Sequence, residues 1–258
     1  MAAQQDKPVS PSDWPEIVSK VRARTPARLL AGRSGAAYRT DTQMELREAH
    51  AAARDAVRAD LDLQRDFGSA FVRQWSLFEV NTQARSKDEY LLRPDLGRRL
   101  STESRAQLSE HCSRGNDLQI VIGDGLSVTA VVAQVPSLLH PLWEGVRTHH
   151  WNVGQVFVVR HCRVGLLNEI GELLDPKVAI LLIGERPGLA TAESLSAYMA
   201  YQPRMSHTDA DRNLISNIHA RGTNAREAAA RILNLATRMM TTRASGYLLR
   251  EESPALED

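Results

Sequence analysis

The sequence predicts an α/β protein: a doubly wound, mostly parallel, Rossmann-like sheet preceded by a helical amino-terminal region. Three observations carry that expectation. Runs of Val, Ile and Leu at residues 118–122, 156–159 and 178–183 are apolar on both faces, as strands buried between two layers of helix must be. Amphipathic stretches separate these runs and suit the crossover connections that parallel strands require. Before residue 114 the apolar residues follow helical spacing instead.

Composition bounds the function. Hydrophobic residues at 43% and charged residues at 24% of a 258-residue chain are near globular averages, which excludes a fibrous or largely disordered architecture. A formal net charge of +1 gives no overall attraction to nucleic acid or to an anionic membrane. No apolar run approaches the roughly 20 residues that span a bilayer. The two cysteines, Cys112 and Cys162, are too few for a disulfide framework and too isolated for a zinc site. A soluble, cytoplasmic protein with reduced thiols is expected.

The elements follow in order. Residues 1–12 are polar, contain proline and lack a signal-peptide core, so they read as a disordered tail. Ser12 or Asp13 caps a first helix that carries Ile17, Val18 and Val21 and ends at Thr25-Pro26. Residues 28–39 hold arginines and two glycines in a loop that suits either a small anion site or a solvated connection. A long helix is predicted over 42–60, a short helix leading into a strand over 71–80, and a helix over 102–111. The strand at 118–122 precedes Gly123-Asp124-Gly125 and a helix-forming stretch over 128–148. Strands at 156–159 and 178–183 follow, joined by an apolar connection over 163–174. Residues 192–198 are read as the start of a helix, 214–218 as a shorter fourth strand, and 226–242 as a closing amphipathic helix.

In an open α/β sheet, ligands bind outside the carboxyl ends of the strands. Three polar turns fall there: Gly123-Asp124-Gly125, Gly184-Glu185-Arg186-Pro187-Gly188 and Ser216-Asn217-Ile218-His219. On one rim they would form a single site. The first departs from the dinucleotide fingerprint, because Val128 stands where its third glycine belongs. Ser127 does not lie between glycines as a nucleophile elbow requires. Glu185 could accept from ligand hydroxyl or amide donors and Arg186 could donate to a phosphate or carboxylate, or the two could simply pair with each other. No Ser-His-Asp or Cys-His set is evident, and His140, His149, His150, His207 and His219 lack metal-ligand spacing. On the residues alone, a non-catalytic nucleotide- or phosphate-binding interaction module remains open.

Four blocks point to a more specific reading, with that module kept as the alternative. Leu91-Leu92-Arg93-Pro94-Asp95-Leu96-Gly97-Arg98-Arg99-Leu100, Ile122-Gly123-Asp124-Gly125-Leu126-Ser127, Leu182-Ile183-Gly184-Glu185-Arg186-Pro187-Gly188-Leu189 and Ala210-Asp211-Arg212-Asn213-Leu214-Ile215-Ser216-Asn217-Ile218-His219 resemble the light chain of ethanolamine ammonia-lyase. The resemblance spans roughly residues 27–246. It implies the small subunit of an adenosylcobalamin-dependent carbon–nitrogen lyase, active only with its large subunit, that converts ethanolamine to acetaldehyde and ammonia by a radical rearrangement. It further implies cobalamin contacts at Val164, Glu185 and Leu214, the last in place of a cysteine in the family pattern, and no catalytic residue on this chain. Six small and six large chains are implied, in the cytoplasm, with packaging in a bacterial microcompartment left open. On this reading residues 13–113 serve subunit attachment and residues 114–250 form the cobalamin-contacting domain.

Overall fold

A computed structural model describes residues 16–25, 33–188 and 190–249. The expected tail, the capping residues Ser12 and Asp13, residues 28–32 of the arginine-bearing loop and Leu189 lie outside the described residues. The amino-terminal part supplies α1 (Glu16–Ala23), a two-stranded ribbon of β1 (Arg33–Ser34) and β2 (Ala37–Tyr38), α2 (Thr40–Arg58) and α3 (Leu63–Gln74). It continues through β3 (Glu79–Asn81), α4 (Lys87–Leu92) and α5 (Thr102–His111). Side chains of Asp62, Ser86 and Ser101 cap α3, α4 and α5 by accepting a backbone N–H of the first turn.

The remainder alternates as expected and then departs. It runs β4 (Leu118–Gly123), α6 (Val128–Thr148), β5 (Phe157–Arg160), α7 (Leu166–Leu174), β6 (Val178–Gly184), β7 (Leu195–Tyr201), β8 (Asn213–Ile218) and α8 (Ala225–Thr242). The main sheet has the order β3-β5-β4-β6-β7-β8. Its first four strands are parallel, and β7 and β8 join antiparallel. The sequence expectation of a helix over 192–198 is therefore wrong. Leu195, Ala197 and Met199 alternate onto one core and seven consecutive residues of β7 pair along β6. That pairing outweighs the helix preference of Ala, Leu and Met. The apolar connection expected over 163–174 contains α7.

Both faces of the sheet are covered. Ile120, Ile122, Val158, Ile180 and Leu182 point into a core shared with α3, α6 and α8, whereas Val121, Phe157, Val159, Ala179 and Leu181 meet α5 and α7. This explains why every residue of β4 and β6 is buried and why their sequences read as unbroken apolar runs. From β4 the chain crosses through α6 to β5, then returns over β4 through α7 to β6, with the two helices on opposite faces. The carboxyl ends of β4, β5 and β6 thus share one rim. Because two antiparallel pairings separate β6 from β8, β8 points the same way and brings Ser216 and Asn217 to that rim. Among the described residues no helix is long and apolar enough to cross a membrane.

Candidate functional site

Close backbone packing builds the rim. Gly125 has φ +58, a conformation suited to glycine, and a Cβ there would fall on the carbonyl oxygen of Gly184. A Cβ on Gly184 would in turn fall on the carbonyl oxygen of Ser127. The two turns are stitched by the Leu126 N–H donating to the Gly184 carbonyl at 3.1 Å, and Ser127 Oγ donates to the Ala192 carbonyl at 2.5 Å. Glycine at these positions lets the loops after β4 and β6 lie against each other.

Above them opens a cavity of about 280 Å³. Its wall takes Tyr90 from α4, Gly125 and Leu126 after β4, and Cys162, Arg163 and Val164 after β5. It continues through Gly184 at the end of β6, Glu185 and Arg186 after it, Ser196 and Tyr198 of β7, and Leu214 and Ser216 of β8. Val164, Glu185 and Leu214, far apart in sequence, all border this one space. Val164 is half-buried where the chain enters α7, and Leu214 is 45% exposed on the edge strand.

Glu185 has a defined task within the chain. Its Oε1 accepts from Ser196 Oγ at 2.6 Å and from the Asn217 backbone N–H at 3.0 Å, so the carboxylate clasps β7 to β8 rather than pairing with Arg186. Asn217 itself holds φ +61, the left-handed region that asparagine tolerates better than most residues. On the opposite wall the Arg163 guanidinium lies 4.2 Å from the Tyr90 ring centroid and donates to the Tyr90 carbonyl at 3.3 Å. Arg163 Nε is buried without a hydrogen-bond partner among the described residues.

Three titratable groups of the wall are shifted by their burial. Burial, reinforced by the nearby Asp124 carboxylate, raises the Tyr90 phenol and the Cys162 thiol well above their ordinary ranges, so both stay protonated. Burial raises Tyr198 as well, with Glu185 adding to it. Among the described residues no histidine lines the cavity. Sequence reasoning missed Tyr90, Arg163 and Ser196 as wall residues and read Tyr198 as helical. Tyr90 reaches the rim only because its hydroxyl bonds the Cys162 carbonyl at 2.9 Å across the fold, a contact with no local signal.

The profile of the ethanolamine ammonia-lyase light chain (EutC) family matches residues 15–250. This chain belongs to that family. Three members sharing the printed name ethanolamine ammonia-lyase small subunit illustrate how close it stands. The Clostridium perfringens protein is 43% identical over 235 residues, 91% of this chain and 78% of the relative. Those of Clostridioides difficile and Fusobacterium nucleatum are 40% and 41% identical, covering 91% and 90% of this chain and 78% and 76% of theirs. The match takes in every residue of the cavity wall.

Proposed function

We propose that this chain is the small subunit of an adenosylcobalamin-dependent ethanolamine ammonia-lyase, converting ethanolamine to acetaldehyde and ammonia with a large subunit, and that its rim cavity is one wall of the cobalamin site. The observation that carries the reading is the convergence of Val164, Glu185 and Leu214 on one cavity in a chain of this family. The donor set fits such a cofactor. Arg163 and Arg186, both on the wall, suit its phosphate and amide oxygens, Ser196 and Ser216 suit its amides, and Val164, Leu126 and Leu214 suit its apolar flank.

A corrinoid is far larger than 280 Å³, so this chain embraces only part of it and a second chain closes over the rest. When bound, the cofactor supplies homolytic radical chemistry, and the protein supplies orientation and shielding. The residues here bind and orient: Arg163 and Arg186 by charge, Glu185 by fixing the β7–β8 wall, Val164 and Leu214 by excluding water. On this reading the large subunit handles the substrate.

We read β4 through β6 with α6 and α7 as a doubly wound, Rossmann-like unit extended by the antiparallel β7 and β8. Residues 114–250 form the cobalamin-contacting domain, residues 13–113 serve attachment, and six small chains assemble with six large ones. The complex works in the cytoplasm, and the polar sequence of residues 1–12 is the candidate address for a microcompartment.

Co-expression with the large subunit tests the proposal. The two chains should co-purify, change the visible absorption of added cobalamin, and release ammonia from ethanolamine. Failure to form a complex, or a complex with no cobalamin response, would overturn it.

A further inference from the structure

We infer that Asp124, paired with Lys87, is a positioning residue that sets the Cys162–Val164 segment of the cavity wall from behind; the inference rests on the cavity being a cofactor wall. Asp124 follows β4, is 1% exposed and does not itself border the cavity. Its two carboxylate oxygens are divided between two adjacent backbone donors: Oδ2 accepts from the His161 N–H and Oδ1 from the Cys162 N–H, both at 2.9 Å. His161 has φ +56, so the turn leaving β5 adopts a backbone that a non-glycine residue seldom takes unless its surroundings hold it there. The carboxylate is what holds it, because a fork of two acceptors fits two successive N–H groups only when the turn is bent this way.

The rest of the turn is gripped from the amino-terminal part of the chain. Thr82 Oγ1 donates to the His161 carbonyl at 3.1 Å, and the Arg163 N–H donates to the Gly97 carbonyl at 2.9 Å. Gly97 is needed for that approach, since a Cβ there would lie 2.7 Å from Arg163 Cγ and 2.8 Å from the His161 carbonyl oxygen. Lys87 reaches in from α4, buried to 8% exposure, with Nζ 3.5 Å from Asp124 Oδ2 and 3.4 Å from the carbonyl of Gly125, which is itself a wall residue. It ties α4 to the loop after β4, beside the carboxylate that holds the turn after β5. Elements assigned to subunit attachment therefore also aim the residues that would meet the cofactor.

A buried charge pair could be purely structural, and the test separates the two roles. In the co-purified large- and small-subunit complex, affinity for cyanocobalamin, a non-reacting corrinoid, is measured by equilibrium dialysis beside thermal unfolding. Asp124→Asn, whose amide can accept only one of the two N–H groups, should weaken affinity about tenfold and lower the melting temperature. Adding Lys87→Met removes the stranded ammonium and should restore much of the melting temperature, but not the affinity. Affinity that recovers with stability in the double variant, or that is unchanged in Asp124→Asn, overturns the inference. If Asp124→Asn does not assemble, Thr82→Val, nearly isosteric and outside the cavity, decides: about threefold weaker affinity is expected, and wild-type affinity overturns it. Glu185→Ala in parallel distinguishes the failures. If it weakens binding while Asp124→Asn does not, only the positioning role falls; if neither does, the cofactor wall falls with it.

Discussion

Replacing Glu185 by alanine removes the one acceptor shared by Ser196 Oγ and the Asn217 N–H. The two orphaned donors differ in cost. Asn217 is exposed and its amide can turn to water, whereas Ser196 is 2% exposed and cannot. A buried polar group left without its partner costs about 1 to 3 kcal/mol, so the expected destabilisation is about 2 kcal/mol, mostly from Ser196. In a chain of this size that corresponds to a fall in melting temperature of roughly 4 to 8 °C. Loosening β8 also moves Leu214 and Ser216, so cyanocobalamin affinity of the complex should fall about tenfold. Glu185→Gln keeps a carbonyl oxygen able to accept from both donors and should lose about half as much stability. A Glu185→Ala/Ser196→Ala cycle, read by thermal unfolding and dialysis, should return a coupling energy of about 1 to 2 kcal/mol. Zero coupling, or a Gln variant as impaired as the Ala variant, would refute the clasp and assign Glu185 a role through its charge alone.

Three further outcomes are expected. Gly184→Ala puts a methyl group onto the Ser127 carbonyl and should destabilise the chain by about 3 kcal/mol in denaturant titration, while Gly188→Ala, whose nearest neighbour lies 4.0 Å from the added carbon, should stay within about 0.5 kcal/mol. Leu214→Asp, on the exposed edge strand, should change stability by about 0.5 kcal/mol or less, yet weaken cyanocobalamin binding about tenfold by forcing a carboxylate into the covered wall. Neither thiol should react with an alkylating reagent in the native chain at neutral pH, because burial pushes Cys112 up to about 11 and Cys162 well above its ordinary value. A thiol pKa raised by folding stabilises the native state fully below about 9, its unfolded value. For Cys112 that contribution disappears as pH rises from its ordinary 9.0 through about 11, so denaturation midpoints should fall over this window and less so in Cys112→Ala.

The strands buried on both faces were the most legible part of the sequence. β4 and β6 are so enclosed that almost every position must be apolar, which leaves a run that cannot be mistaken for a surface element. β7 was not legible. Leu195, Tyr198 and Met199 fall at helical spacing as well as Leu195, Ala197 and Met199 do at strand spacing, and the segment has no β-branched residue to decide. Only pairing with β6 settles it. The rim turns were visible because Gly123, Gly125, Gly184 and Gly188 punctuate apolar runs, but what Glu185 does there was not. Its partners Ser196 and Asn217 come from the misread strand and from one 32 residues away.

The same limit bears on how a wall that holds a ligand has to be constructed. A cavity open on one side cannot fix a ligand by enclosure, so the atoms on its single wall have to be set before the second chain arrives. One of the groups that set them lies behind the wall, and two stand in it but spend their polar atoms on the protein itself. Asp124 holds two N–H groups behind Arg163 and Val164, Tyr90 holds the Cys162 carbonyl, and Glu185 holds the seam between β7 and β8. Each is a side chain spent on the protein's own backbone or hydroxyl, joining segments 37, 38 and 72 residues apart in the first two cases. Substitutions behind the wall should therefore weaken cofactor binding as much as substitutions facing it, and the Asp124 and Leu214 variants, one hidden and one exposed, make that comparison directly.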